Sequence, residues 1–320
     1  MTDILSIAPF LDGLTVRPGV SHHGLHIFPV CEMPGRPAAE CPEMLSLTQG
    51  LSSGRLLIGE TGEMDRVRIR NAGGDAALVL DGETLIGGAQ NRMINAAAVV
   101  LSRHEADVPC SCVEVRRWDV KRKDAIPEGK RAFRASAMAY GRLRRLRMEH
   151  AHRSLRAGRA VRVEQDAVWK DIVSGFGVSG ANTKTLDLHD LYEHWDAALR
   201  AIETRFFIHK NQTGIMSFLD RRTWHLDLFR DHDMLYKYFK PLVRAYAFEA
   251  LIRLEAGTPA RGAAQLERAR EIFKSLRTAS CHAFAAPGGA ARAVFFATRA
   301  AHGTALLAGS RLIQLTACSK

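Results

Sequence analysis

The chain contains no C-x-x-C pair, no H-E-x-x-H, no G-x-x-x-x-G-K-[ST] and no G-x-S-x-G. These gaps set aside thioredoxin-type redox sites, zincin proteases, P-loop nucleotide hydrolysis and nucleophile-elbow hydrolases. Thiols are sparse: the six cysteines, Cys31, Cys41, Cys110, Cys112, Cys281 and Cys318, are too few in 320 residues for a disulfide framework, which fits a reducing compartment. Cys110 and Cys112 have His104 nearby but no second ligand pair at metal spacing, so they read as buried structural thiols and no metal is assigned. No apolar run approaches the roughly 18 residues of a membrane span. The opening MTDILSIAPFLDG carries acidic residues where a secretory leader is positive. The expectation is a cytoplasmic protein without a membrane partner.

A hydrophobic content of 47% with 25% charged residues is enough for a substantial packed core. The net charge of +11, from 45 Lys and Arg against 34 Asp and Glu, favours a polyanion, a nucleotide or an acidic partner without choosing among them.

Along the chain, GLHIFPVCE (24–32) alternates with period two and predicts a strand, which Pro29 assigns to a sheet edge. A helical turn near Leu45 to Leu51 precedes the strand-like runs RLLIGE (55–60), RVRIRN (66–71) and AALVLDGETLIGG (76–88), and 93–102 with 106–118 complete a β-rich first third. Asp81-Gly82, between apolar runs, predicts a type I′ hairpin because both residues accept a positive φ. From Phe133 the pattern turns helical and basic, with ten arginines and one acidic residue, Glu149, between 131 and 162. Such a helix reads either as a solvated face or as a polyanion surface. Further helices are predicted over 161–176, over 188–206 with Leu188, Leu191, Trp195, Leu199, Ile202 and Phe206 as one core stripe, over 233–254 around Pro241, and over 264–276. Residues 214–229 predict a hairpin turning at Asp220 to Arg222, and 303–307 with 311–316 predict closing strands. The sequence therefore predicts an α+β fold, one domain over 1–320: a mostly antiparallel sheet in a β-rich 14–118, a mainly helical 130–276, and C-terminal strands over 300–317 returning to the sheet.

Gly175 to Gly180 (GFGVSG) spells G-x-G-x-x-G, but a helix precedes it where a dinucleotide fingerprint needs a strand. It reads as a glycine-terminated helix followed by a loop. The stretch Leu78 to Trp118 is the better site candidate, because two polar clusters interrupt apolar strands there and buried polar groups need partners or a ligand. The first cluster is Glu83 with Gln90, Asn91 and Arg92, the last three directly after Gly87-Gly88, where a ligand can approach bare backbone. Amide and guanidinium donors placed so make a cradle for phosphate or a ribose hydroxyl, or else a structural network joining two strands. The second cluster is Ser111, Cys112, Glu114, Arg117 and Trp118, with Cys110, Cys112 and Glu114 alternating onto one face. Glu114 beside Cys112 offers a base next to a thiol, though no histidine neighbours them in sequence. Trp118 stacks a base or covers a sheet end.

At LDGETLIGGAQNR, VPCSCVEVRRW, QDAVWKDI and LDLFRDHDMLYKYFKPLVRAYAFEAL the chain resembles a bacterial family, the ARG and rhodanese-phosphatase-superfamily-associated protein domain, from about Leu45 onward. It departs from the family's pattern at Leu219 to Arg222, where small, glycine-like residues are expected. The family's name records association with ADP-ribosylglycohydrolases and phosphatase-type enzymes. The resemblance thus implies chemistry on NAD, ADP-ribose or phosphorylated nucleotides, at Asp81, Gly82, Glu83, Gly87, Gln90, Asn91 and Arg92 and at Ser111, Cys112, Glu114, Arg117 and Trp118.

The leading expectation is an enzyme or ligand-binding protein for an anionic nucleotide-type molecule, with hydrolysis as the candidate reaction. Glu83, Glu114 and Cys112 are its candidate catalytic groups; Gln90, Asn91, Arg92, Ser111, Arg117 and Trp118 are its candidate ligand-binding groups, with no cofactor assigned. The alternatives are a nucleic-acid-binding module using the arginine-rich helix, or a non-catalytic partner subunit.

Overall fold

The computed structural model describes residues 6–35, 43–116, 133–257 and 266–320. The chain forms two compact units, one of Met1–Cys41, Ala197–Ala285 and Ala291–Lys320, the other of Pro42–Asp196 and Ala286–Ala290.

In chain order the first unit begins with helix α1 (Ala8–Leu11) and strands β1 (Leu14–Val16), β2 (Val20–His22) and β3 (Leu25–Glu32). The second unit follows with β4 (Met44–Ser46), α2 (Leu47–Ser52), β5 (Leu56–Glu60), β6 (Arg66–Asn71), β7 (Ala76–Val79), β8 (Glu83–Ile86), β9 (Arg92–Ile94), β10 (Ala98–Val100), β11 (Glu105–Cys112), β12 (Arg134–Met138), α3 (Gly141–Arg156), α4 (Gln165–Ser179) and α5 (Leu188–His194). The chain then returns to the first unit through α6 (Asp196–Glu203), β13 (Gln212–Phe218), β14 (Trp224–Phe229), α7 (His232–Glu255), α8 (Leu266–Ser275), β15 (Ser280–Ala285), β16 (Arg292–Ala297), β17 (Ala301–Ala308) and β18 (Arg311–Ser319).

The first unit is built on a nine-stranded antiparallel sheet of order β1-β3-β13-β14-β18-β17-β16-β15, with β2 also on β3. The C-terminal strands do return to a sheet begun by the N-terminal ones. Alternation along β14 sends Trp224, Leu226 and Leu228 into a core shared with Phe218, Phe296, Leu315 and the α8 residues Ile272 and Phe273. His225 and Asp227 take the other face, where Tyr246 of α7 donates its hydroxyl to Asp227. Pro29 is not at an edge, because β3 has neighbours on both sides. Its ring nitrogen falls between the two short partners on one side, β1 ending opposite Val30 and β2 starting opposite Ile27, while its carbonyl accepts from Arg17 N–H at 2.9 Å. The hairpin at 219–223 turns without glycine: Asp220 Oδ1 accepts from the N–H groups of Arg222 and Thr223, both at 2.6 Å.

The second unit packs a three-stranded sheet, β10-β7-β4, against a six-stranded one, β12-β8-β9-β11-β6-β5. Their shared core includes Val79 and Val100 from the smaller sheet and Ile69, Leu85, Ile94 and Val108 from the larger. The Asp81-Gly82 turn does not close a hairpin. β7 pairs with β10 and β4, whereas β8 pairs with β9 and β12, so the turn carries the chain from one sheet to the other. Gly82 has φ 90° and Glu83 N–H reaches Leu80 O at 3.3 Å, an ordinary four-residue turn with its positive φ at the third position only. α2 opens with a capping box, in which Ser46 Oγ accepts from Gln49 N–H at 3.2 Å and Gln49 Oε1 accepts from Ser46 N–H at 3.1 Å. Ser46→Ala is expected to lower the unfolding free energy by about 1 kcal/mol; an unchanged urea midpoint would show that the cap contributes nothing.

Two predicted helices differ in the structure. The basic helix begins only at Gly141, because 134–138 forms β12 on β8, a bulged pairing stitched by the Thr84 hydroxyl to Ala137 N–H and O. The 188–206 stripe is buried throughout, but two helices that break at Trp195 carry it only as far as Ile202, and Phe206 follows the end of α6. The glycine-rich 175–180 stretch ends α4, with Gly180 in the left-handed region at φ 66°.

Candidate functional site

The antiparallel register of β9 on β11 places Arg92 opposite Cys112, Met93 opposite Ser111 and Ile94 opposite Cys110. Two clusters some twenty positions apart in sequence therefore meet across one strand pair. The Arg92 guanidinium is 2% exposed and divided among neighbours: Nη1 donates to Cys112 Sγ at 2.7 Å and to Gln90 Oε1 at 3.3 Å, and Nη2 lies 3.5 Å from Glu60 Oε2. Gln90 Nε2 in turn reaches Glu114 O at 3.4 Å. Asn91 folds its own loop shut, accepting from Gly87 N–H at 2.9 Å, and donates to Asp187 Oδ2 at 2.5 Å. Asp187 caps α5 by accepting from His189 N–H at 3.2 Å and forms a backbone bridge with Glu114.

Other candidates take different positions. Glu83 sits in the Leu80–Glu83 turn, where its Oε2 accepts from Leu80 N–H at 2.6 Å. Ser111 alternates away from Arg92 and accepts from Asn95 Nδ2 at 2.9 Å. Arg117 and Trp118 lie outside the described residues.

Burial sets the protonation of these groups more than charge does. It pushes the Glu83 carboxyl up to about 8, which keeps it protonated near neutrality, and, with a contribution from Glu114, that of Asp187 to about 7. The same cause raises the Cys112 thiol, against the opposing pull of Arg92, and carries Cys110 to about 12. His189, also buried, falls to about 4 and stays neutral, its Nδ1 2.8 Å from Ser136 Oγ. A thiol kept protonated is a poor nucleophile.

A cavity of about 760 Å³ lies beside the C-terminal end of β11. Ser111 and Cys112 wall it from the strand, Gln165 and Trp169 from α4, and Arg159 and Arg162 from the connection between α3 and α4. Gln165 fixes one helix to the strand end, since its amide accepts from Cys112 N–H and donates to Cys112 O, both at 2.8 Å. Arg159 and Arg162 are exposed and have no side-chain partner among the described residues, whereas Arg153, also on the wall, is paired with Glu149 at 2.8 Å. Of the candidates read from sequence, Ser111 and Cys112 reach this cavity; Glu83, Gln90, Asn91, Arg92 and Glu114 are not part of its wall.

Sequence reasoning missed Glu60, Asn95 and Asp187, which contact the clusters from 16 to 96 positions away. The basic helix divides its arginines: Arg144 and Arg147 of α3 are 4% and 1% exposed, with Arg147 paired to buried Asp81, whereas Arg153 and Arg156 are exposed. Among the described residues no helix is long and apolar enough to cross a membrane.

Residues 13–318 match the model of the ARG and Rhodanese-Phosphatase-superfamily-associated Protein domain. No curated protein and no solved structure matches the chain.

Proposed function

We propose, for a chain that belongs to the ARG and Rhodanese-Phosphatase-superfamily-associated Protein domain family, that the cavity beside β11 binds a phosphorylated, nucleotide-type small molecule such as ADP-ribose. The observation that carries this reading is the occurrence of two guanidinium groups without side-chain partners among the described residues, Arg159 and Arg162, with Trp169 on the wall of one cavity. Guanidinium groups suit phosphate oxygens and an indole suits the flat face of a base. A volume of about 760 Å³ falls within the span of small-molecule sites. In this reading phosphate meets Arg159 and Arg162, the base lies along Trp169, and Ser111 offers a hydroxyl at the strand. The reading is for binding. Among the three catalytic candidates only Cys112 reaches the cavity, and burial holds its thiol protonated.

Thermal unfolding with ADP-ribose, ADP and NAD, each set against adenosine, tests the proposal. A ligand present at a hundred times its Kd stabilises by about 2.7 kcal/mol, so at least one phosphorylated compound is expected to raise Tm by a few degrees while adenosine does not. Arg159→Ala with Arg162→Ala should abolish the shift. Equal effects of adenosine and ADP, or no shift from any of them, would remove the reading.

A further inference from the structure

The loop from Gly87 to Arg92, which reads in the sequence as a phosphate cradle, plays no part in the cavity. It is nevertheless built as one, and it is filled. Glu60 Oε1 accepts from Ala89 N–H at 2.9 Å, and Glu60 Oε2 lies 3.5 Å from Arg92 Nη2. One carboxylate oxygen on a backbone amide and the other on a guanidinium is how an oxyanion is held where the backbone turns its N–H groups inward. Positive φ at Gly87 (132°) and Gly88 (63°) produces that turn.

We infer that the Gly87–Arg92 loop is an oxyanion site closed by the chain's own Glu60, and that it takes a phosphate or pyrophosphate group when that carboxylate moves away. Three further features support the assignment. The Arg92 Nε is buried and has no partner among the described residues, so the guanidinium has donor capacity that Glu60 leaves unused. Gly88 leaves no room for a side chain, since a Cβ there would stand 2.5 Å from Glu60 Oε1 and 2.3 Å from Phe133 Cζ; the carboxylate rests on bare backbone. Glu60 can also leave. Its side chain is 30% exposed, it ends β5, which among the described residues pairs only with β6 at the sheet margin, and Gly62 follows at φ 88°. A tetrahedral phosphate brings more acceptor oxygens to the same donors than a carboxylate does. The site shares no residue with the cavity wall, although Arg92 touches the wall residue Cys112.

Calorimetric titration of the full chain with pyrophosphate at one fixed, low ionic strength tests the inference. Glu60→Gln, which keeps the side chain's shape, and Glu60→Ala, which empties the site, are both expected to bind at least about tenfold more tightly than the unaltered chain. The gain should persist with Arg159→Ala and Arg162→Ala in place, which separates this site from the cavity, and it should disappear with Arg92→Lys. Glu63→Gln makes the same change of charge three residues away and should give no gain. Pyrophosphate should also restore Tm to Glu60→Ala beyond its effect on the unaltered chain. Absence of a gain in both Glu60 variants, an equal gain in Glu63→Gln, or loss of the gain with the two cavity arginines would each overturn the assignment.

Discussion

Arg147→Met is expected to destabilise the protein by about 3 to 5 kcal/mol, the range found when one member of a buried ion pair is removed. Arg147 is the largest fully buried side chain among the described residues, 1% exposed; its guanidinium pairs with Asp81, itself 2% exposed, and donates to Asn95 O at 2.9 Å. Methionine fills much of the volume, so most of the loss would come from stranding the Asp81 carboxylate without its counter-charge and Asn95 O without a donor. The position makes the effect structural as well as electrostatic. Asp81 lies in the turn that passes the chain from the three-stranded to the six-stranded sheet. Arg147 thereby ties α3 to that crossing. Adding Asp81→Asn should recover part of the loss, because the stranded charge is gone. Chemical unfolding of the single and double variants provides the measurement, and a single-variant loss under about 1 kcal/mol would mean that the pair contributes little.

Glu83 sets a pH dependence of equal reach. Its folded-state pKa of about 8 stands above the ordinary carboxylate value of 4.5, so across that interval the folded chain keeps a proton that the unfolded chain has released. Stability must then fall as pH rises from about 4.5 to about 8 and level off above. Asp187, raised from 3.8 to about 7, contributes with the same sign over a window that closes earlier. A tenfold difference in proton affinity between the folded and unfolded chain corresponds to about 1.4 kcal/mol, so the contribution of Glu83 amounts to a few kcal/mol at pH 8. Glu83→Gln resembles the protonated form and still offers an oxygen to Leu80 N–H. The variant is expected to match the unaltered chain near pH 5 and to exceed it increasingly toward pH 8. Parallel stability curves for the two proteins between pH 5 and 9 would refute the assignment.

What the sequence made legible was local. The hydrophobic spacing of α7 placed that helix, and Asp231 is its cap, accepting from Met234 N–H at 2.7 Å. The 214–229 hairpin turns where Asp220 predicts it. Period-two alternation in β11 put Cys110 and Cys112 on one face, but that β9 sets Arg92 opposite Cys112 is seen only in the structure. Non-local pairing was the part that could not be read. β12, RASAM, has no β-branched or aromatic residue and little strand propensity of its own, and is a strand because β8 pairs with it. β15 and β16 left a signal that was passed over: Pro287-Gly288-Gly289 between SCHAFA and RAVFFA, with positive φ at both glycines and Gly289 N–H on Ala286 O at 3.1 Å. The Asp81-Gly82 turn shows the converse failure. Its residues announce a turn, but which strands leave it in register is decided by partners elsewhere in the chain. The site was divided the same way. Glycines, amides and arginine in one loop pointed to an anion, and the anion present is Glu60, supplied by a strand whose own pattern gave no hint of it.

The path of the chain between its units limits how the protein can be taken apart. The polypeptide leaves the first unit after Cys41, returns at Ala197, and leaves again for the five residues Ala286–Ala290. There Gly288, at φ 79°, lies so close to β11 that a Cβ would come within 2.9 Å of the Ala106 Cβ. A gene cut at position 196 would give the second unit without that short insert and the first unit in two pieces, the leading one holding β1 to β3 away from β13. Expression of either half as a separate fragment therefore needs a redesigned connection, a circular permutation or a bridging linker, before its behaviour reports on the parent protein.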